Sequence, residues 1–202
     1  MKRKTAVIIM QEKVTLAEQW AEFIVSTRFE DLPSNVVHYT KRFILNHLGC
    51  VLGGKGLKSS DIVFDVVSEL GGKPESTVLG HGIKTSCTNA ALTNAVTGYG
   101  LEMNDDHRAG SQHPVIAVAP AALAMAEREH AGGKKVLLAQ ALGSELMIRL
   151  GEAFLGVSYD QGFHPTGTCG VFGAAAATGK ILGLNKQQMV DTLGIAGSSA
   201  AG

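Results

Sequence analysis

The chain has 202 residues, 45% of them hydrophobic and 18% charged, which is enough apolar material for a buried core and unlike the composition of a disordered segment. Its 18 lysines and arginines balance its 18 aspartates and glutamates, so no global field draws it to nucleic acid or to an anionic membrane surface, and neither partner is expected. The longest apolar stretch, Val115 to Ala126 with Pro120 inside it, falls short of the roughly 20 residues that a bilayer-spanning helix needs.

Residues 1–13 begin Met1-Lys2-Arg3-Lys4, and the apolar run that follows is cut off by Gln11-Glu12-Lys13 without a small-residue cleavage site. They read as a disordered or loosely docked tail and not as a secretory leader. Thr15 to Thr27 carries Leu16, Trp20, Phe23 and Ile24 on one helical stripe, with Thr15 and Glu18 spaced as a capping box. A second helix is predicted from Pro33-Ser34 to Gly53-Gly54, and a third from Asp61 to Leu70, again stopped by paired glycines. Thr77-Val78-Leu79-Gly80 is the strand signal before residue 100, and with Gly82 it predicts a small hairpin near 77–84. Helices resume at Thr88 and follow over Val115–Glu129, Lys134–Glu152, Val171–Leu182 and Lys186–Leu193.

The alanine- and glycine-rich runs Ala174–Ala177, Gly194–Gly197 and Ser198–Gly202 predict buried, closely packed helices. A run of that kind at the last residues suggests a chain that stops within a larger fold. The expected architecture is all-α, a helical bundle-like domain over residues 14–202, with no repeat and no linker. Cys50, Cys87 and Cys169 are odd in number and widely spaced, which indicates neither a disulfide framework nor a zinc site and fits a reducing cytoplasm.

Two segments concentrate chemistry among these apolar helices. Leu101 to Pro114 holds Glu102, Asp105, Asp106, His107, Arg108 and His113 in a loop between helices, where catalytic groups tend to sit. Gly162-Phe163-His164-Pro165-Thr166-Gly167-Thr168 is the second. In both, the proline holds the preceding histidine extended and starts a helix, so each imidazole lies at a helix amino terminus whose free N–H groups favour an anion such as a carboxylate. His38, His47, His81 and His130 read as ordinary residues. Asp105, Asp106, His107 and His113 match no closed metal motif, and adjacent aspartates cannot easily both ligate, so no metal and no cofactor is expected. Gly173 to Ile181 is a poor phosphate loop, with its glycine one residue late and Ile181 where a hydroxyl is needed. Nothing obvious except a helix start would lower the pKa of Cys169, so it is a poor nucleophile.

On these residues the sequence resembles the MmgE/PrpD (2-methylcitrate dehydratase-like) family. The similarity covers Lys41–Gly54, Ala90–Pro114, Pro120–Arg149 with Leu123-Ala124-Met125-Ala126-Glu127 and Ser144-Glu145-Leu146, Gly162–Gly173 and Ala174–Gly202. The family's "L-D-x-D-D … H-P" pattern falls on Leu101, Glu102, Asp105, Asp106, His113 and Pro114, and "G-F-H-P-T" falls on Gly162 to Thr166. Glu102 stands where aspartate is usual, an extra residue precedes His113, and Asn46 occupies a place where aspartate is common.

The resemblance implies a subunit with a large helical domain and a smaller α/β domain, an active site between them, homodimers, and catalytic lysines beyond Gly202. The present chain would then be truncated before the α/β domain. It also implies a hydro-lyase acting on a small di- or tricarboxylate, as in propionate metabolism, with epimerase or decarboxylase activity on a related acid as the alternative. A split, non-catalytic helical dimerisation module is a further reading. His113 is expected to be the acid/base and His164 to bind or protonate substrate, with Glu102 and Asp105 orienting the imidazoles. Arg108, Thr166 and Gln112 are the expected substrate-binding residues. Since three carboxylates would repel an acidic substrate, some of them should point away, Asp106 first among them.

Overall fold

The computed structural model describes residues 14–154 and 157–201, so the tail expected at 1–13 lies outside the described residues. The architecture is all-α with one small hairpin, as the periodicity predicts. Helix α1 (Leu16–Ser26) begins with the foreseen capping box. Thr15 Oγ1 accepts from Glu18 N at 3.2 Å, and Glu18 Oε2 accepts from Thr15 N at 2.6 Å. Its other end is closed from a distance. The Lys180 ammonium donates to the carbonyls of Ile24, Val25 and Thr27 at 2.7, 2.8 and 2.7 Å, satisfying the oxygens that a helix terminus leaves without partners. That structural cap is the work of the lysine in the discarded phosphate-loop pattern.

Helix α2 (Ser34–Gly54) and helix α3 (Lys58–Leu70) follow. The latter starts three residues before the predicted Asp61, because Lys58-Ser59-Ser60 carries no apolar residue to mark a period. Ser60 Oγ, buried, donates to Gly54 O at 2.8 Å and fixes the turn between the two helices. Strands β1 (Ser76–Val78) and β2 (Ile83–Thr85) pair antiparallel with Thr77 opposite Lys84. Asn94 of helix α4 (Cys87–Tyr99) ties this hairpin down, donating to Thr77 O at 3.0 Å and accepting from Leu79 N at 2.9 Å.

The centre of the fold is built by α5 (Pro114–Arg128), α6 (Gly133–Ala153) and α8 (Pro165–Leu182). Val118, Ala122, Ala139, Met147, Ala177 and Ile181 form one buried cluster between them. A second joins Ala21 and Ile24 of α1 to Leu138, Leu142 and Leu146 of α6 and to Met189 and Leu193 of α9 (Lys186–Ser199). Where α6 crosses α8 there is room for backbone only: a Cβ on Gly143 would lie 2.5 Å from Gly173 O and 2.7 Å from Val118 Cγ1.

Among the predicted helices, α8 and α9 depart furthest from expectation. α8 starts at Pro165, six residues before the predicted Val171, because Thr166-Gly167-Thr168-Cys169-Gly170 is too poor in apolar residues to show a period. α9 runs on to Ser199, but its last turns are not closely packed as the small residues suggested. Gly194, Ile195, Gly197, Ser198 and Ser199 are exposed, and only Leu193 and Ala196 face inward there. Small side chains permit close approach, yet they produce it only where a second helix comes against them. A short helix, α7 (Val157–Asp160), had no sequence signal. Among the described residues no helix is long and apolar enough to cross a membrane.

Candidate active site

The two His-Pro pairs do what the local sequence requires. His113 and His164 are the N-cap residues of α5 and α8, with φ of −114° and −89°, and Pro114 and Pro165 are the first helical residues. The two helix starts are tied together. Thr166 Oγ1, in the first turn of α8, accepts from the backbone N–H of His113 at 3.1 Å. Neither histidine caps its own helix through its side chain, so both rings remain available for other partners.

For α5 the missing cap comes from Asp105, ten residues upstream of Val115. Both carboxylate oxygens accept from Val115 N at 3.1 Å, a charge-assisted contact at the positive end of the helix. The backbone carbonyl of the same residue lies 2.6 Å from His113 Nδ1. A carbonyl can only accept, so Nδ1 carries the proton and Nε2 is the ring atom left to exchange one. Tyr99 packs edge-on against the imidazole, with ring centroids 5.9 Å apart. Burial raises the Asp105 carboxyl from its ordinary 3.8 to about 6, against the opposing pull of the Val115 N–H and of His113.

The loop between Asp105 and His113 is pinned by its own backbone. His107 N donates to Gln112 O at 2.8 Å, His107 Nδ1 accepts from Gly110 N at 3.2 Å, and His107 Nε2 lies 3.5 Å from Glu152 Oε1 on α6. Ser111 holds a left-handed conformation with φ +49°, unusual for a residue with a Cβ.

Asp106, Arg108, Ser111, His113, Tyr159 and His164 line one open cleft of about 470 Å³. It collects two imidazoles, a guanidinium, one carboxylate and two hydroxyls, with the amino termini of α5 and α8 at its edge. Such a site can hold an acid through Arg108 and the start of α8 while an imidazole moves a proton.

The structure brings together His113, His164 and Arg108 as expected and changes the placement of the others. Gln112 is fully buried, its amide packed against Gly110 and Gly151, and it does not line the cleft. Thr166 is buried and engaged with the His113 backbone. Glu102 is exposed with φ +55° and also lies outside the lining. Asp105 positions His113 through its carbonyl while its carboxylate is turned to α5. Asp106, expected to point away first, is the carboxylate that lines the cleft. Ser111 and Tyr159 were missed in the sequence: a serine carries no signal of its strained backbone, and Tyr159 sits on the unforeseen α7. Cys169 is buried, and burial pushes its thiol up, as befits a residue that is not a nucleophile.

The sequence signature described as the MmgE/PrpD N-terminal domain matches residues 18–202. The chain is 31% identical over 189 residues to a cis-aconitate decarboxylase of Aspergillus terreus, covering 91% of this chain and 38% of that protein. It is 31% identical over 193 residues to the Homo sapiens cis-aconitate decarboxylase, covering 92% of this chain and 40% of that one. A cis-aconitate decarboxylase-like protein, oryM, of Aspergillus oryzae is 27% identical over 188 residues, covering 89% of this chain and 39% of that one. The chain therefore spans about two fifths of the length of the curated relatives it matches.

Proposed function

The chain belongs to the MmgE/PrpD family through its N-terminal domain, and from that premise we propose that it contributes the proton-carrying helical domain of a lyase acting on a small di- or tricarboxylate. The observation that carries this reading is the His113 ring, fixed at Nδ1 by the Asp105 carbonyl and lining, with His164 and Arg108, a cleft at two helix amino termini.

The names of the relatives favour loss of CO2 over the loss of water expected from the sequence. In a decarboxylation the bond from carbon to the departing carboxylate breaks, CO2 leaves, and the electron pair stays on a carbon framework conjugated with a remaining carboxylate. A proton from Nε2 of protonated His113 then closes the carbanion, leaving a neutral ring that takes its next proton from solvent. Arg108 and the amino terminus of α8 hold the remaining carboxylates, with His164 as the second imidazole beside them. The dehydration expected from the sequence uses the same atom in the opposite sense, with Nε2 of neutral His113 removing a carbon-bound proton. The assembly expected for such a lyase is a homodimer.

The discriminating experiment incubates the full-length protein separately with cis-aconitate and with 2-methylcitrate, following CO2 release in the first and loss of the hydroxyl in the second. His113→Ala is expected to lower turnover of the accepted acid about 10²- to 10⁴-fold, the usual worth of a positioned acid/base. Near-full turnover by that variant sinks the assignment, and turnover of neither acid removes the substrate reading.

A further inference from the structure

A second concavity, of about 320 Å³, is lined by Tyr39, Arg42, Phe43, Asn46, Asn104 and Asp105. It shares no lining residue with the cleft of Arg108, His113 and His164. Four of its residues come from α2 at positions i, i+3, i+4 and i+7, so they form one face of that helix. The fifth and sixth come from the loop that α2 meets at this point, where Asn46 Nδ2 donates to Met103 O at 3.2 Å.

The chemistry of the lining is specific. Arg42 has no carboxylate within ion-pair distance among the described residues. Its guanidinium carbon lies 5.5 Å from the centroid of the Tyr39 ring, which orients the planar group without neutralising it. Asn104 Oδ1 is buried with no hydrogen-bond partner, and a buried amide atom left that way costs free energy until something bonds to it. The amide can turn to present N–H₂ in place of oxygen. The carboxylate in the lining, Asp105, is directed to Val115 N by both oxygens, which turns its charge to the start of α5.

We propose that Tyr39, Arg42, Asn46 and Asn104 form a binding site for a small carboxylate, separate from the His113 cleft. The guanidinium fork takes the two carboxylate oxygens side by side, the Tyr39 ring holds the fork in place, and the two amides supply hydrogen bonds along the flank of the ligand. The site stands on the α2 face and the Asn104 orphan and does not depend on the reaction proposed for the cleft.

The test is a titration of the whole chain with malonate, following the side-chain Nε–H resonance of Arg42 by NMR, with malonamide as the uncharged control. The expected result is a saturable shift with malonate and none with malonamide. Arg42→Gln should weaken at least tenfold the malonate response read at the Asn46 and Asn104 side-chain amide resonances, and Arg42→Lys, which keeps charge but loses the fork, should fall between. Arg108→Gln, which alters the other cleft, should leave the malonate titration of the Arg42 Nε–H resonance within twofold. Both arginines are exposed, so melting curves should show the variants folded, and Arg42→Lys serves if Arg42→Gln is not. No saturable shift, an equal response to malonamide, an undiminished amide response in the Arg42 variants, or loss of the Arg42 shift in Arg108→Gln overturns the proposal.

Discussion

Asp105→Asn separates the two jobs that the structure gives to one residue. The asparagine keeps the backbone carbonyl that lies 2.6 Å from His113 Nδ1, and its side-chain oxygen can still accept from Val115 N. What it removes is the ionisable group. Burial raises the Asp105 pKa from 3.8 to about 6, so the folded state binds this proton more tightly than the unfolded chain does. The resulting stability is fully present below about pH 3.8 and is lost as pH rises through 6. A difference of about two pH units corresponds to about 3 kcal/mol, at about 1.4 kcal/mol per unit. The stability of the variant minus that of the parent should therefore grow by about 2 kcal/mol between pH 4.5 and pH 8, the rest being lost below pH 4.5, and any constant offset between asparagine and neutral aspartic acid leaves that growth untouched. Urea unfolding of both proteins at pH 4.5, 6 and 8 reads the difference directly and cancels every other titrating group that they share. A difference that is flat across the three pH values, or that shrinks towards pH 8, would refute the assignment of Asp105 as a buried carboxylate held against its ionisation.

Four further substitutions probe the scaffold. His47 on α2 is buried with neither ring nitrogen bonded, and burial lowers its pKa from 6.5 to about 4. The folded state keeps it neutral, so its contribution is present above pH 6.5 and lost as pH falls towards 4, about 3 kcal/mol in all. His47→Leu should flatten the acid limb of the stability profile, and an unchanged limb counts against this account. Gly143→Ala places a methyl 2.5 Å from Gly173 O. It should destabilise by about 1–3 kcal/mol, or roughly 2–4 °C in Tm per kcal/mol. Gly194→Ala, with nothing within 4 Å, should be neutral or slightly stabilising, and equal melting of the two alanine variants would show that the α6–α8 crossing is looser than described. Lys180→Met removes three hydrogen bonds at the end of α1 and should cost about 1.5–3 kcal/mol. Faster amide exchange in the last turn of α1 is the local sign of it, and exchange unchanged there argues for a different cap.

What could be read from the sequence was what neighbouring residues decide. The Thr15–Glu18 capping box, the paired glycines after Leu70 and the hairpin around Thr77 each depend on a few adjacent side chains, and each appears where expected. The same holds for the histidines at 113 and 164, because a proline fixes the helix start immediately beside it. Residues whose partners are remote in sequence take placements that adjacent residues do not signal. Gln112 is next to His113 in sequence but is buried where Gly151 of α6 leaves room for its amide: a Cβ at Gly151 would lie 1.2 Å from Gln112 Nε2. Asp105 looked like an orienting carboxylate, yet its charge satisfies the first turn of α5 while its carbonyl does the orienting. Thr166 looked like a ligand contact and instead joins the two helix starts. The last two cases share a physical cause: a polar group near a helix terminus first meets the terminus's own unpaired N–H groups, and only the side chains left over can face a substrate. In this fold those are His113, His164, Arg108 and Asp106, with Ser111 and Tyr159 beside them.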